Sequence, residues 1–308
     1  MKHWADVGLL YPIFTDTPYD KPHISFSQYQ IFKRCPLQWK LKYIDKLAPF
    51  ESSIDTIFGK AMHETIQLFF KTALGKTKKA ATSLPLFDIL MNYLLYFYNE
   101  ERVNRGCDFL TKADIKKYFV YGANGLDYLC KHVSDFITLK EYELVGIELP
   151  INRMMNDQGL VFVGRIDLLL KKKSDSRYWM IDIKTSSMGW PSKYKTDMTK
   201  TGQLLLYKQF YCEANNIDPD MVCTEFWVFR KRLPQSDYPV PYIQRIRVAS
   251  GGINTKRIIT EVQEFVSKCY NGVDFINEGH YASTKPDSCI FCPHKYDKEV
   301  CERWKTNK

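Results

Sequence analysis

The chain has 308 residues, enough to bury a substantial core without covalent staples, and its 45% hydrophobic and 26% charged content is that of an ordinary globular protein. Collagen, coiled coil and bulk disorder are excluded on these figures. A net charge of +9 and a 15% share of Phe, Trp and Tyr suit a nucleic-acid binder, with cations for phosphates and rings for bases, but also a basic protein with an aromatic core.

Residues 1 to 24 are expected to be irregular, with Pro12, Pro18 and Pro22 breaking any helix. Asp6 interrupts the first apolar stretch and no small-residue cleavage site follows, so no secretory leader is expected. No run free of Asp, Glu, Lys and Arg is longer than that of residues 22 to 32. A spanning helix needs about 20 largely apolar residues, so no membrane segment is expected. Nine cysteines, an odd number, point to a reducing, cytoplasmic setting, such as a bacterial or phage-infected cell.

Residues 26 to 46 read as two short helices, with Ser27 capping the first and Pro36 in the first turn of the second. Helical periodicity follows at 57–75, 86–101 and 112–139, with Leu90, Leu94, Phe97 and Tyr98 on one stripe and a loop from Lys76 to Ser83. Near residue 143 the pattern turns to β: ELVGIELPI, LVFVGRIDLLLK and RYWMIDIKT, the first two joined by the turn Asn156-Asp157-Gln158-Gly159. A helix at 199–214, strands in VCTEFWVFRKR and PYIQRIRVA, and a helix at 254–271 complete the pattern. The fold class is α/β: one domain over 1–308, with a mostly helical section at 25–140, an α/β core at 141–271 and a Cys-bearing segment at 272–308.

Strand alternation places Asp182 and Lys184 on one face and Ile181 and Ile183 on the other. Asp167 lies on the preceding strand, near enough for a hairpin neighbour. Two carboxylates converging beside one Lys suit Mg²⁺ or Mn²⁺, and the Lys can orient or deprotonate a water and meet charge on a phosphate. Alone, Asp-x-Lys is weak, because exposed strands often carry such pairs in solvent.

Five ordered segments resemble the PD-(D/E)xK nuclease superfamily, specifically its RecB-type family. These are Gly59-Lys60-Ala61-Met62-His63; Glu148 on the first strand; Asp167 with Asp182 and Lys184; Gln203 to Tyr207; and the opening SFSQYQIFKRCPLQWKLKY. The resemblance implies a restriction-endonuclease-like central mixed β-sheet flanked by helices, with an N-terminal helical section. It implies His63, Asp167 and Asp182 as ligands of Mg²⁺ or Mn²⁺, Lys184 as the catalytic lysine and Glu148 as a further acidic member. Gln203 and Tyr207 would touch nucleic acid or brace the site. The implied activity is metal-dependent DNA hydrolysis by an exonuclease of recombination, repair or phage replication. The alternatives are a non-catalytic binding or assembly subunit and a structure- or sequence-specific endonuclease. The sequence shows no G-x-x-x-x-G-K-[ST] phosphate loop, so unwinding is expected of a separate helicase or recombination protein.

From Trp190 to Arg257 eleven Lys and Arg face six Asp and Glu. Lys193, Lys195 and Lys200, interleaved with Trp190 and Tyr194, and the run Arg230-Lys231-Arg232 are candidate phosphate contacts. Cys289 and Cys292 form C-x-x-C, Cys301 follows, and Cys35 stands far upstream before Pro36. This resembles the iron–sulfur-containing RecB-type nucleases, the CRISPR adaptation nucleases and the AddB-type subunit, and implies a 4Fe–4S cluster closing the ends of the domain. The longer last gap departs from that pattern. It leaves zinc, with four Cys or with His294, or an empty remnant as alternatives. Cys107, Cys130, Cys212, Cys223 and Cys269 read as core residues.

Overall fold

A mixed sheet of six strands separates two apolar clusters in the computed structural model, which describes residues 22–47, 52–106, 108–279, 281–283, 289, 292–294, 297 and 299–301. The readings of residues 1–21 and Cys107 lie outside the described residues. The strands are β1 (His23–Ser25), β2 (Tyr142–Met154), β3 (Val161–Lys172), β4 (Tyr178–Ser186), β5 (Val222–Arg230) and β6 (Ile243–Arg247). They run in the order β1-β3-β4-β5-β6, with β2 along the other edge of β3. Pairing is antiparallel for β2/β3, β3/β4 and β5/β6, and parallel for β1/β3 and β4/β5. This is the mixed, helix-flanked α/β sheet expected from the sequence.

The β2–β3 turn forms where expected. Asn156 Oδ1 accepts the N–H groups of Gln158 and Leu160, and Gly159 takes a φ of +98° that a side chain would resist. The strand centres carry near-continuous apolar runs, such as Leu168-Leu169-Leu170, because helices cover both faces. On one face lie α1 (Phe26–Arg34), α2 (Pro36–Tyr43), α7 (Met198–Asn215) and α8 (Gly252–Cys269). On the other lie α3 (Ile54–Gly75), α4 (Lys78–Thr82), α5 (Leu86–Arg105) and α6 (Lys112–Phe136). Among the described residues no helix is long and apolar enough to cross a membrane.

Several boundaries differ from the sequence reading. The cap of α1 is Ser25, whose extended backbone lets its side chain accept from Gln28 N–H; Ser27 lies inside the helix. The expected loop at 76–83 contains α4, capped by Thr77 and anchored by fully buried Ala81. Within the region read as irregular, His23–Ser25 adds a parallel strand to β3, too short to show a period. Past the last helix, β7 (Tyr270–Asn271) and β8 (Asp274–Phe275) make a separate ribbon.

The chain's two ends meet on one buried indole. Trp39 of α2 sits 5.5 to 6.0 Å, ring centre to ring centre, from Phe32, Tyr43, Phe265, Tyr270, Phe275 and Tyr281. Close by, Tyr29 donates to Glu261 at 2.6 Å, and Tyr270 donates to Gln28 at 3.0 Å. Lys33 and Arg257 also reach Glu261, at 2.8 and 3.0 Å. Burial alone would raise the Glu261 carboxyl, but the hydrogen bonds from Lys33, Tyr29 and Arg257 outweigh it and hold it down to about 2. A carboxylate depressed in the folded state adds stability that is complete above its unfolded pKa, about 4.3, and is lost as pH falls through the folded value. Glu261→Gln is therefore expected to lower the melting temperature at pH 7. The gap to wild type should close as melts are repeated from about pH 5 down toward 2.

Two glycines behave differently from their motif positions. A Cβ at Gly59 would meet only Thr185 Oγ1 at 3.7 Å, so nothing there sterically requires a glycine. A Cβ at Gly164 would lie 2.5 Å from the Tyr207 ring. Thermal denaturation of Gly164→Ala is expected to show a loss of about 1–3 kcal/mol from overpacking. Gly59→Ala, in a helix interior, should be neutral or stabilising by up to about 1 kcal/mol.

Candidate active site

One edge of β3 is interrupted. β1 pairs with residues 161–163 and β4 with residues 168–171, so among the described residues Gly164-Arg165-Ile166-Asp167 has no strand beside it on that edge. β3 and β4 part beyond the Leu168–Ile181 pair, and Asp167 spans the opening: its Oδ2 accepts the Ile183 N–H at 2.6 Å. A side-chain carboxylate thus takes a ladder hydrogen bond.

The β2–β3 hairpin kinks at the same level. Ile166 and Leu149 pack with the α7 cluster, whereas Leu168 and Ile147, their neighbours two residues along, pack with the α3 cluster. Strict alternation would keep each pair on one face. The switch falls at Glu148 and Asp167, which lie opposite each other, and Glu148 has a φ of +52° in the middle of its strand. A non-glycine residue in that region is strained and persists only where its surroundings hold it.

Helices from both layers close on this cleft. From α3, His63 Nδ1 comes within 3.6 Å of Asp167 Oδ2. One turn later, Gln67 donates to Glu148 Oε1 and, at 3.5 Å, to the Asp167 carbonyl. Ligand atoms of His63, Glu148 and Asp167 all lie within 4.8 Å of one another. From α7, the Tyr207 ring packs on Gly164, and Gln203 Nε2 donates to the Tyr207 hydroxyl at 3.3 Å. Lys184 Nζ pairs with Asp182 Oδ2 at 2.8 Å, and the other buried oxygen of Asp182, Oδ1, has no hydrogen-bond donor among the described residues.

Burial dominates the electrostatics. It pushes the Glu148 carboxyl up to about 8, with Asp167 adding to the effect and Gln67 opposing it. It pushes Asp167 up to about 6 against the pull of Lys184 and the Ile183 N–H. Asp182 also rises to about 6 through burial, opposed by Lys184 and assisted by Asp167. His63 is driven down to about 4 by burial and by the Lys184 charge, so its imidazole is neutral at pH 7, the form that binds metals. Burial would also lower Lys184, but Asp182 and Asp167 outweigh it and raise its pKa.

The sequence profile of the PD-(D/E)XK nuclease superfamily matches residues 23–302. The chain belongs to the PD-(D/E)XK nuclease superfamily. A crystal structure of a "Putative exonuclease" from Eubacterium rectale superposes with a TM-score of 0.51 at 12% identity, covering 91% of this chain and 92% of that one. No curated protein matches the chain.

In this PD-(D/E)XK chain the sequence-predicted residues sort by place. His63, Glu148 and Asp167 form the tightest group, with Asp182 and Lys184 beside them. Tyr207 is 6% exposed, a bracing position. Lys193 and Lys195 are exposed in the 3₁₀ turn Ser192–Lys195 that follows β4, and Lys200 lies 5.3 Å from the Tyr194 ring centre. Trp190 packs on Phe226, and Gln244 bonds both its backbone N–H and its carbonyl. Two of the three basic residues at the end of β5 are structural. Arg230 donates to the Met188 and Pro241 carbonyls, and Lys231 pairs with Asp55. Gln67 and Gln244 escaped the sequence reading. For Gln67 the available signal was a polar residue on the buried stripe of α3, four positions after His63.

Cys35, Cys289, Cys292 and Cys301 line one cavity, together with Ser283 and His294. Burial raises the Cys292 thiol, the His294 backbone N–H lowers it, and Cys35, Cys289 and Cys301 raise it again. His294 Nε2 is buried with no hydrogen-bond partner. None of the eight described cysteines is in a disulfide; Cys212 and Cys269 are buried core residues, and Cys130 and Cys223 are half-buried.

Proposed function

We propose that this protein is a Mg²⁺- or Mn²⁺-dependent deoxyribonuclease that acts as an exonuclease in recombination, repair or phage replication. The observation that carries the reading is the convergence of neutral His63, Glu148 and Asp167, with Asp182 and its ion-paired Lys184 alongside, in the opening between β3 and β4. Carboxylate oxygens with one neutral imidazole suit a hard divalent cation, and the buried Asp182 Oδ1, without a hydrogen-bond donor among the described residues, fits the same group. His63, Asp167 and Asp182 would hold it, with Glu148 joining them. The chemistry it supplies is Lewis acidity toward a phosphoryl oxygen and a lowered pKa for water. Lys184 is kept charged by its carboxylates, so its part is to orient water and meet charge building on the phosphate, not to accept a proton. Tyr207, held by Gln203 and seated on Gly164, fixes the wall of the cleft. Lys193, Lys195 and Lys200 follow β4 in sequence and would contact phosphates of the substrate. The exonuclease reading draws on the motif resemblance and on the name given to the Eubacterium rectale protein.

End-labelled linear and circular DNA, with RNA alongside, incubated with Mg²⁺, Mn²⁺ or chelator, tests the reading. Linear DNA should be degraded from its ends only with metal. Asp182→Ala and Lys184→Ala should each cut the rate by about 10²-fold or more while changing DNA affinity little. Full cleavage by Asp182→Ala would remove the assignment. Binding without cleavage by wild type would identify a non-catalytic subunit, and cutting of circles an endonuclease.

We also propose that Cys35, Cys289, Cys292 and Cys301 hold a 4Fe–4S cluster. Their shared cavity and the His294 N–H directed at Cys292 support thiolate ligation of a metal group. Anaerobically purified protein should be brown and bleach on reduction or in acid, and Cys35→Ala should lose iron and melt earlier. A colourless preparation with stoichiometric zinc would reverse the choice.

A further inference from the structure

We propose that Gln67 is a positioning residue that holds the Glu148 carboxylate in the cleft as a metal ligand. The proposal rests on the metal-site reading above. Gln67 is fully buried, on a stretch of α3 whose neighbours Ile66, Phe69 and Phe70 are also fully buried. A polar amide is costly there unless it is bonded. Its bonds go to both members of the kinked rung: Nε2 donates to the Glu148 side chain and to the Asp167 carbonyl. Two acceptors on one side fix which end of the amide faces the cleft, while Oε1 stays buried without a donor.

This arrangement accounts for an otherwise isolated oddity. Glu148 has a left-handed backbone in mid-strand, a conformation that its own residue type does not favour. That backbone lets Ile147 and Leu149 serve opposite apolar clusters while Glu148 itself turns inward. An inward, half-buried carboxylate beside Asp167 needs a donor, and Gln67 supplies one. His63 and Gln67 stand four residues apart, so a single turn of α3 delivers one ligand and the brace for another. Groups that orient a metal ligand tune affinity without touching the metal.

Calorimetric titration of Mn²⁺ into the full chain tests this, with melting in EDTA as a control for folding. Gln67→Leu fills the same space without hydrogen bonds and should weaken Mn²⁺ binding by about 10- to 100-fold. Glu148→Gln should weaken it similarly, and the double variant should bind no worse than Glu148→Gln alone. Wild-type affinity in Gln67→Leu, or additive losses in the double variant, would overturn the proposal. Should Gln67→Leu not fold, Gln67→Asn, one methylene too short to span the gap, carries the same test. Failure of the wild type to bind Mn²⁺ would instead refute the metal site itself, and the proposal with it.

Discussion

The acceptance of the Ile183 N–H by the Asp167 carboxylate is the constraint on which the rest of the site depends. A sheet that opens between two strands leaves backbone donors facing a dry interior, and an unmet donor there costs as much as a lost hydrogen bond. Asp167 meets that donor with a side chain, so the opening becomes tolerable. Once open, the sheet admits helix α3 from one layer and helix α7 from the other. A flat, fully paired sheet would keep His63 and Tyr207 on opposite sides of a wall.

Burial then acts in two ways. It makes the carboxylates of Asp167 and Asp182 costly to ionise. It also keeps His63 neutral, preserving a nitrogen lone pair at physiological pH. Lys184 compensates the cluster in part, with one positive charge against three carboxylates. The bracing is polar and comes from residues with no part in the chemistry: Gln67 behind Glu148, Gln203 behind Tyr207 and Gln244 behind Trp190.

Much of this was readable from residues alone. The alternation in IDIKT and the run GRIDLLL mark the two strands whose divergence makes the cleft and put Asp182 and Lys184 on one face, whereas His63 came only from the family resemblance. What was not readable is non-local or subperiodic. β1 has three residues, too few to show alternation, and is held by its partner in β3, by Gln28 and by the burial of Ile24. Helix α4 is a single turn whose stability comes from a Thr cap and a buried Ala. The left-handed Glu148 has no sequence mark, and its hydrogen-bond partner Gln67 lies on a helix far away in sequence. Gly59 shows the converse. A motif glycine suggests crowding, yet the crowded glycine is Gly164, under a tyrosine from a distant helix.

The indole of Trp39 carries a consequence for how the chain comes to be folded. Its partners arrive from α1 and from the ribbon after α8, and the neighbouring hydrogen bonds join residues 232 and 242 positions apart. Contacts of such separation bring the chain-closure entropy with them and form slowly. The sheet and the α3 layer can assemble from nearer neighbours while the first helices wait for the last. On a ribosome the early segment would therefore emerge long before its counterpart exists. A nascent chain of this protein must keep an aromatic, basic stretch unpaired until residues 261–281 have been made, which leaves that interval exposed to aggregation and to chaperones.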